Sequence, residues 1–218
     1  MPNQKAAIKG VIFDCDGTLV DSETLSTELI VDMLQERGHK TSYEEIFSLF
    51  RGEKFSIFID KVKENYSNLE PEDFIAEYRE RSTHLLETKL QEIDGASNLL
   101  KKLDIEKCIA SNGPRHKIET SLKTTQLISY FQDKIISAYE VNSWKPDPTI
   151  ILCAANLLRT APSNCLLIDD SMAGVEAGLK ANVQVVAFRI SNKTLGKYKN
   201  LVRQIEDLSQ ILEIVYPN

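Results

Sequence analysis

Acidic side chains stand at the ends of two short apolar segments of the sequence. Residues 11–22 read VIFDCDGTLVDS, and residues 165–171 read CLLIDDS. Two carboxylates at the end of a buried strand are costly without a cation, because unit charges about 4 Å apart repel by roughly 4 kcal/mol at an effective dielectric constant of about 20. A divalent cation with oxygen ligands, helped by one lysine, would offset this repulsion, and Mg²⁺ is typically held by one or two carboxylates. The acidic segments therefore predict a Mg²⁺ site.

The segments that must position these carboxylates follow two different periods. KGVIFDCD is an apolar, β-rich run before the breaker Gly17, which indicates a buried strand. Residues 22–90 then carry apolar side chains at helical spacing. After Gly95, helices alternate with the strand patterns KCIASN, KIISA, CLLIDD and VQVVAF, and terminal helices follow. This order predicts an α/β fold with a Rossmann-like parallel sheet, interrupted after its first strand by an inserted all-helical domain.

Polar residues also follow the other predicted strands. Ser111–Asn112–Gly113 ends the second strand, and Lys145 follows the third in WKPDP. Ligands of open α/β sheets bind beyond the carboxyl ends of the strands, so these groups are expected at one edge with the carboxylates. Turns and helix caps use the same residue types, and that explanation is sufficient for Ser111 or Asn112 taken alone. An EF-hand does not fit, because its twelfth loop position is Leu25 instead of a bidentate Glu.

Four ordered motifs, DCDGTLVDS, SNG, KPDP and LIDDSMAG, resemble those of the haloacid dehalogenase-like (HAD) hydrolase superfamily. The resemblance spans nearly the whole chain, and the helical insert is similar to the small cap of the β-phosphoglucomutase and sugar-phosphatase branch. It implies a Rossmann-like phosphatase core in residues 1–20 and 92–218 and a helical cap in residues 21–91. The implied reaction is Mg²⁺-dependent hydrolysis of small phosphorylated sugars or sugar acids, such as 6-phosphogluconate, through an aspartyl phosphate.

The resemblance implies catalytic and metal-binding roles for the two acidic segments. Asp14 is the expected nucleophile, and Asp16 is the expected general acid and base. The expected Mg²⁺ ligands are the Asp14 carboxylate, the Asp16 backbone carbonyl and the acidic pair Asp169 and Asp170. Of this pair, Asp170 is the expected direct ligand.

The resemblance implies phosphate or substrate contacts at five further residues. Ser111 and Asn112 would hold phosphate oxygens, and Lys145 would neutralise charge beside the nucleophile. Arg51 and Lys54 lie in a polar break between two helices of the insert, where the loop of the family contacts substrate. An exposed helix junction would have the same composition, so this second explanation stays open.

Three other functions share parts of this pattern. A phospho-accepting signalling domain gathers similar residues at strand ends, but such domains are shorter and place the acidic pair on the first strand. A catalytically idle binding protein is disfavoured because every motif residue is present. A sugar phosphomutase uses the same core, and such relatives carry a histidine at the place that Ser26 occupies here. Serine has no imidazole to couple substrate binding to the acid/base, so hydrolysis is favoured.

The composition of the 218-residue chain restricts its partners and its compartment. The net charge of −6 offers no basic surface for nucleic acid or for an anionic membrane. The four cysteines form no C-x-x-C pair, which indicates a reducing compartment. No segment has the pattern of a signal peptide or of a membrane span. We expect a cytoplasmic monomer that acts on a small phosphorylated metabolite and binds neither nucleic acid nor a membrane.

Overall fold

The computed structural model describes residues 7–50, 55–66 and 69–217. The chain divides into two compact units, one of residues 21–91 and one of residues 1–20 and 92–218. The first of these units contains helices α1 (Ser22–Glu36), α2 (Tyr43–Phe50), α3 (Phe55–Asn65) and α4 (Pro71–Thr88). The helices of the other unit are α5 (Ala96–Lys102), α6 (Arg115–Thr124), α7 (Ala138–Val141), α8 (Thr149–Leu157), α9 (Met172–Lys180), α10 (Asn192–Leu195) and α11 (Gln210–Val215). Its strands are β1 (Gly10–Phe13), β2 (Glu106–Ser111), β3 (Ile135–Ser137), β4 (Cys165–Asp169), β5 (Gln184–Phe188) and β6 (Arg203–Ile205).

The strands form one six-stranded sheet in the order β3-β2-β1-β4-β5-β6. All neighbouring strands are parallel. The order runs outward from β1 on one side through β2 and β3, and on the other side through β4 to β6. This topology confirms the predicted α/β, Rossmann-like parallel sheet. Ligands of such sheets bind at the carboxyl ends of the strands where the order reverses, which here is the gap between β1 and β4.

Strand β1 occupies the centre of the sheet because its residues are apolar and buried throughout. Its last residue, Phe13, is in register with Ile109 of β2 and with Ile168 of β4. The Phe13 ring packs edge to face against Phe131, with 6.1 Å between the ring centroids. The chain continues in strand-like pairing for one more residue, since the Asp14 N–H donates to the Ile168 carbonyl at 3.0 Å. Packing and pairing on both sides therefore fix the place where the first acidic segment begins.

Helices α1 to α4 enclose a hydrophobic core of their own. Helix α1 packs against α2 and α4, and the Asp21 side chain caps its first turn by accepting from the Thr24 N–H at 3.2 Å. The buried side chains of this core are Leu29, Ile30, Met33, Leu34, Ile46, Phe58, Ile59, Val62, Tyr66 and Phe74. The helical pattern predicted for this block is confirmed over its described residues. None of the helices in the described part of either unit combines the length and the apolar character required to cross a membrane.

The structure differs from the sequence prediction after β5. The sequence pattern predicts only terminal helices there, whereas a sixth strand, β6, lies between α10 and α11. The strand has three residues, and only Ile205 among them is buried. It forms by pairing with the end of β5, where Phe188 is in register with Ile205. Three residues of which two are polar and exposed show no strand pattern in the sequence. The strand is stabilised by its pairing with β5, which the sequence of the segment does not reveal.

Two buried serines should respond differently to truncation. Ser121 of α6 is 1% exposed, and its hydroxyl has no hydrogen-bond partner within the described ranges. The Ser137 hydroxyl donates to the Gly113 carbonyl at 2.7 Å and accepts from the Tyr139 N–H at 3.2 Å. We expect Ser121→Ala to leave the free energy of unfolding unchanged or to raise it by up to about 1 kcal/mol. The matched change Ser137→Ala should lower it by about 1–2 kcal/mol.

Thermal and denaturant unfolding of both variants, followed by circular dichroism, measures these differences. A loss of stability in Ser121→Ala as large as that in Ser137→Ala would contradict the assignment of an unsatisfied hydroxyl at residue 121.

Candidate active site

Three carboxylates meet at the carboxyl ends of β1 and β4. Asp14 follows β1, Asp169 is the last residue of β4, and Asp170 comes next. One oxygen atom from each carboxylate lies within 4.8 Å of those of the other two. Asp169 is fully buried, and the Asp14 side chain is only 13% exposed. The parallel sheet therefore joins two acidic segments that are far apart in the sequence into one group, the carboxylate triad.

The buried ammonium group of Lys145 lies between two members of the carboxylate triad. Its Nζ donates to Asp14 Oδ1 at 2.6 Å and to Asp169 Oδ2 at 2.7 Å. The backbone of Lys145 is held by Asn112, whose Oδ1 accepts from Lys145 N at 2.8 Å and whose Nδ2 donates to Lys145 O at 3.4 Å. The Asn112 side chain thus fixes the loop that carries the lysine. Removing one partner from a buried ion pair typically costs about 3–5 kcal/mol, so this contact strongly constrains the site.

Burial is the main influence on the charges of this group. Burial raises the pKa of Asp14 to about 7, since the lowering effect of Lys145 is partly opposed by the nearby Asp169 and Asp16 carboxylates. Burial alone would lower the pKa of Lys145, but the Asp14 and Asp169 carboxylates outweigh it and raise that pKa above its usual value. Lys145 is therefore a permanent cation. With all groups ionised, the carboxylate triad and Lys145 together carry a net charge of −2.

The two adjacent aspartates after β4 make different contacts. Both oxygens of Asp169 are engaged, because Oδ1 accepts from the N–H and the hydroxyl of Ser171 at 2.9 and 2.7 Å, while Oδ2 accepts from Lys145. Asp170 is partly exposed, and its Oδ1 accepts from the Thr18 hydroxyl at 2.8 Å. Asp169 thus holds Lys145 in place, and Asp170 presents the more accessible carboxylate.

Two glycines leave the space that these aspartates fill. Gly17 has a φ of +76°, and a Cβ placed there would lie 2.2 Å from Asp170 Oδ2. A Cβ at Gly174 in α9 would lie 1.9 Å from Asp169 Oδ2. Neither position accepts a side chain unless a carboxylate moves. From the sequence, Gly17 is interpreted as the breaker that ends the first strand and lets the chain turn, and Gly174 has no predicted role. A sequence does not show which side chain a glycine must make room for.

The Asp16 side chain is not a member of the carboxylate triad, although its charge acts on Asp14. Its Oδ2 is 3.2 Å from the Nζ of Lys117 on α6. A Cβ at Gly113 would lie 3.7 Å from this oxygen and 3.4 Å from Ser111 Oγ, so Asp16 and Ser111 are on the β2 side of the site. Lys117 has no role predicted from the sequence, since this residue belongs to none of the four motifs. The backbone carbonyl of Asp16 remains a predicted metal ligand.

The remaining residues predicted for the site fall into two groups. Ser111 is 2% exposed at the end of β2, and its hydroxyl accepts from the Gly113 N–H at 3.1 Å. Its expected phosphate contact, like that of Asn112, stays a prediction. Arg51 and Lys54 lie outside the described residues.

The donor set of the carboxylate triad suits a hard divalent cation. All its candidate ligand atoms are carboxylate oxygens, which Mg²⁺ and Ca²⁺ prefer. The net charge of −2 that this group carries when fully ionised is unfavourable in a largely buried place, and a divalent cation would neutralise it. The fold and the site together define a Rossmann-like α/β protein that can hold such a cation at the carboxyl edge of its sheet.

Comparison with known proteins identifies the family. The family model of the haloacid dehalogenase-like hydrolases matches residues 11–188. The chain is 38% identical to the 6-phosphogluconate phosphatase of Escherichia coli over 83% of its own length and 82% of the relative. A conserved haloacid dehalogenase-like protein of unknown function from Agrobacterium tumefaciens has a similar structure, with a TM-score of 0.84, 25% identity and coverage of 96% and 98% of the two chains. A HAD family hydrolase from Deinococcus radiodurans, solved with bound phosphate and sodium, has a TM-score of 0.82 at 25% identity, with 96% of each chain covered.

The chain belongs to the haloacid dehalogenase-like hydrolase family, which confirms the resemblance carried by its four motifs. This membership, together with named phosphatases among the relatives, supports the predicted enzyme class of phosphoric monoester hydrolases. A phospho-accepting signalling domain, the alternative that shared the acidic pattern, does not fit this family.

Substituting Gly174 should damage the site without unfolding the protein. In Gly174→Ala the new methyl group must displace the Asp169 carboxylate from Lys145, and a displacement of about 1 Å near the reacting groups typically lowers kcat by roughly 10²-fold. Phosphate release from an aryl phosphate, combined with a melting curve, measures both effects. Glu176→Ala, at a half-exposed position of the same helix, is the control and should keep wild-type activity. Wild-type turnover in Gly174→Ala would show that Asp169 is not required in its observed position.

Proposed function

We propose that this protein is a Mg²⁺-dependent phosphatase that hydrolyses small phosphorylated sugars or sugar acids, with 6-phosphogluconate as the leading candidate, through an aspartyl phosphate on Asp14. The observation that carries the proposal is the pair of short hydrogen bonds from Lys145 to Asp14 and Asp169 beside Asp170. A carboxylate fixed by a buried cation at the switch point of the sheet suits nucleophilic attack on an electron-poor phosphorus atom. The identity with a 6-phosphogluconate phosphatase supports the choice of substrate.

In the first half of the reaction, the free oxygen of Asp14 attacks the phosphorus atom of the substrate. A bond forms between this oxygen and phosphorus, and the bond from phosphorus to the ester oxygen breaks. The leaving alkoxide takes a proton from Asp16, whose position outside the carboxylate triad suits a separate task. Lys145 keeps the Asp14 carboxylate in one orientation and offsets the negative charge that gathers as the phosphoryl group approaches.

In the second half, water hydrolyses the aspartyl phosphate. Asp16, now a carboxylate, accepts a proton from the attacking water, and the bond between the Asp14 oxygen and phosphorus breaks. Inorganic phosphate leaves, and both aspartates return to their starting protonation states. The Ser111 hydroxyl would donate to a phosphoryl oxygen from the β2 side.

The carboxylates of Asp14 and Asp170, with the Asp16 carbonyl, would hold the Mg²⁺. When bound, Mg²⁺ supplies positive charge for the phosphoryl oxygens. Asp169 is the poorer ligand, because Lys145 and Ser171 already engage both of its oxygens.

Removing the nucleophile provides the most direct test. Asp14→Asn keeps an oxygen atom at the site but cannot form the acyl phosphate, so steady-state phosphate release should fall by roughly 10³-fold or more. Measurements use 6-phosphogluconate and an aryl phosphate, with Asp133→Asn, an exposed position of the same unit, as the control. Turnover of Asp14→Asn within tenfold of wild type, about 1.4 kcal/mol in the barrier, would rule out Asp14 as the nucleophile.

Metal dependence should distinguish Mg²⁺ from Ca²⁺. We expect a chelator to abolish activity, Mg²⁺ to restore it, and Ca²⁺ to inhibit it. Mg²⁺ favours octahedral geometry and would leave one Asp14 oxygen for attack, whereas Ca²⁺ takes more ligands and would engage both carboxylate oxygens. Phosphate release is titrated with each ion after chelator treatment. Asp170→Asn should raise the Mg²⁺ concentration needed for half-maximal rate, and full activity in the presence of chelator would refute the metal site.

Phosphatase and phosphomutase activities can be separated by following products. The position where mutase relatives carry a histidine is Ser26, whose hydroxyl accepts from the Tyr78 hydroxyl at 3.1 Å. Without an imidazole there, we expect water to take the phosphoryl group. Phosphorus NMR should show inorganic phosphate as the main product. The substrates to be tested are 6-phosphogluconate, hexose phosphates, hexitol phosphates, pyrophosphate, and glucose 1-phosphates with a bisphosphate primer. Isomerised sugar phosphate that accumulates faster than inorganic phosphate would establish a mutase instead.

A further inference from the structure

The contact between Lys117 and Asp16 joins two segments of the core that are 101 residues apart in the chain. Lys117 is in the first turn of α6, directly after the Ser111–Gly113 segment. Its Nζ lies 3.2 Å from Asp16 Oδ2, and the two side chains are 36% and 28% exposed. The ion pair is therefore accessible to solvent, in contrast to the buried contacts of Lys145.

Lys117 reaches the site, whereas Arg115 and Lys123 of the same helix contact other residues. Arg115 is held by the Glu140 carboxylate and by the Ile135 carbonyl. Lys123 is 65% exposed and lies 3.8 Å from Glu119 on the same helix. Among the cations of α6, Lys117 is thus the one that pairs with a residue of the DCDGT segment.

Two electrostatic forces act on the Asp16 carboxylate. Its carboxylate follows Asp14 by two residues, and like charges repel it from the carboxylate triad. Lys117 attracts it to the β2 side, where it lies near Ser111 and Gly113. Repulsion alone would only exclude one direction, whereas a cation at hydrogen-bond distance selects one particular orientation.

We propose that Lys117 is a positioning residue for Asp16: its ammonium group holds the Asp16 carboxyl group on the β2 side, near Ser111 and Gly113, where it can exchange a proton with the leaving group. The catalytic part of this inference rests on the proposed phosphatase function. The orientation of Asp16 does not, and it can be tested without substrate.

The kinetic test separates positioning from substrate binding. Lys117→Met keeps most of the length of the side chain and removes its charge. We expect kcat for a sugar phosphate to fall by about tenfold, with KM changed by less than about twofold. An aryl phosphate, whose leaving group needs little protonation, should lose much less. Asp16→Asn should give the same dependence on the leaving group with a larger loss.

Three matched variants make this test specific. Lys117→Arg should recover most of kcat, because the charge returns, and Lys123→Met should behave as wild type. The double variant Lys117→Met with Asp16→Asn should be no slower than Asp16→Asn alone, since a residue that acts through Asp16 has no effect once Asp16 is replaced. A rise in KM with unchanged kcat on both substrates, or additive losses in the double variant, would overturn the proposal.

Crystal structures of the wild type and of Lys117→Met, grown under the same conditions, provide a readout independent of activity. The Asp16 carboxylate should face Lys117 in the wild type and should leave the side of Gly113 in the variant. An unchanged Asp16 orientation in the variant would refute the positioning role. A wild type that releases phosphate from no substrate would refute the proposed function, and the two crystal structures would still decide what orients Asp16.

Discussion

The contact on which the rest of the site depends is the buried ammonium group of Lys145 between the Asp14 and Asp169 carboxylates. A charge that is 2% exposed is tolerated only when its partners satisfy it completely. The surrounding structure is organised to keep those partners in place. Asn112 brackets the lysine backbone with two hydrogen bonds, and Ser171 engages the other oxygen of Asp169.

The topology of the sheet explains why these groups meet at this edge. The strands that follow β1 and β4 in the chain lie on opposite sides of this central pair, which leaves a gap at the carboxyl ends of β1 and β4. Asp14 follows β1 and Asp169 ends β4, so both lie at this gap. The register of the two strands pairs Phe13 with Ile168 and thereby places the two aspartates side by side. The Asp169 carboxylate lies so close to the backbone of α9 that residue 174 must lack a side chain. A Cβ at Gly174 would clash with this carboxylate.

The four aspartates are divided between two environments with different electrostatics. When it is fully ionised, the carboxylate triad carries more negative charge than Lys145 can neutralise in a largely buried place, which favours the binding of a divalent cation. Asp16 is half-exposed and paired with Lys117, so its charge is compensated outside the triad. Asp14 and Asp16 thus pair with different lysines, which suits the separate tasks of nucleophile and proton donor in the proposed reaction.

The class of fold is predictable from the sequence alone, and so is the set of residues that gathers at the carboxyl edge of the sheet, whereas the roles of those residues remain predictions. Apolar runs of strand length, alternating with helical periods, are local signals, and so β1 to β5 and the helical insert were predicted correctly. The Asp14, Lys145 and Asp169–Asp170 positions followed from strand ends, since a parallel sheet brings its carboxyl ends to one edge. The tertiary structure alone decided which oxygen pairs with which cation, that Asp16 faces Lys117, and that Gly174 makes room for Asp169. It also decided β6, whose three residues become a strand only beside β5. These features depend on distances between segments remote in the chain, and no local pattern of residue types contains such distances.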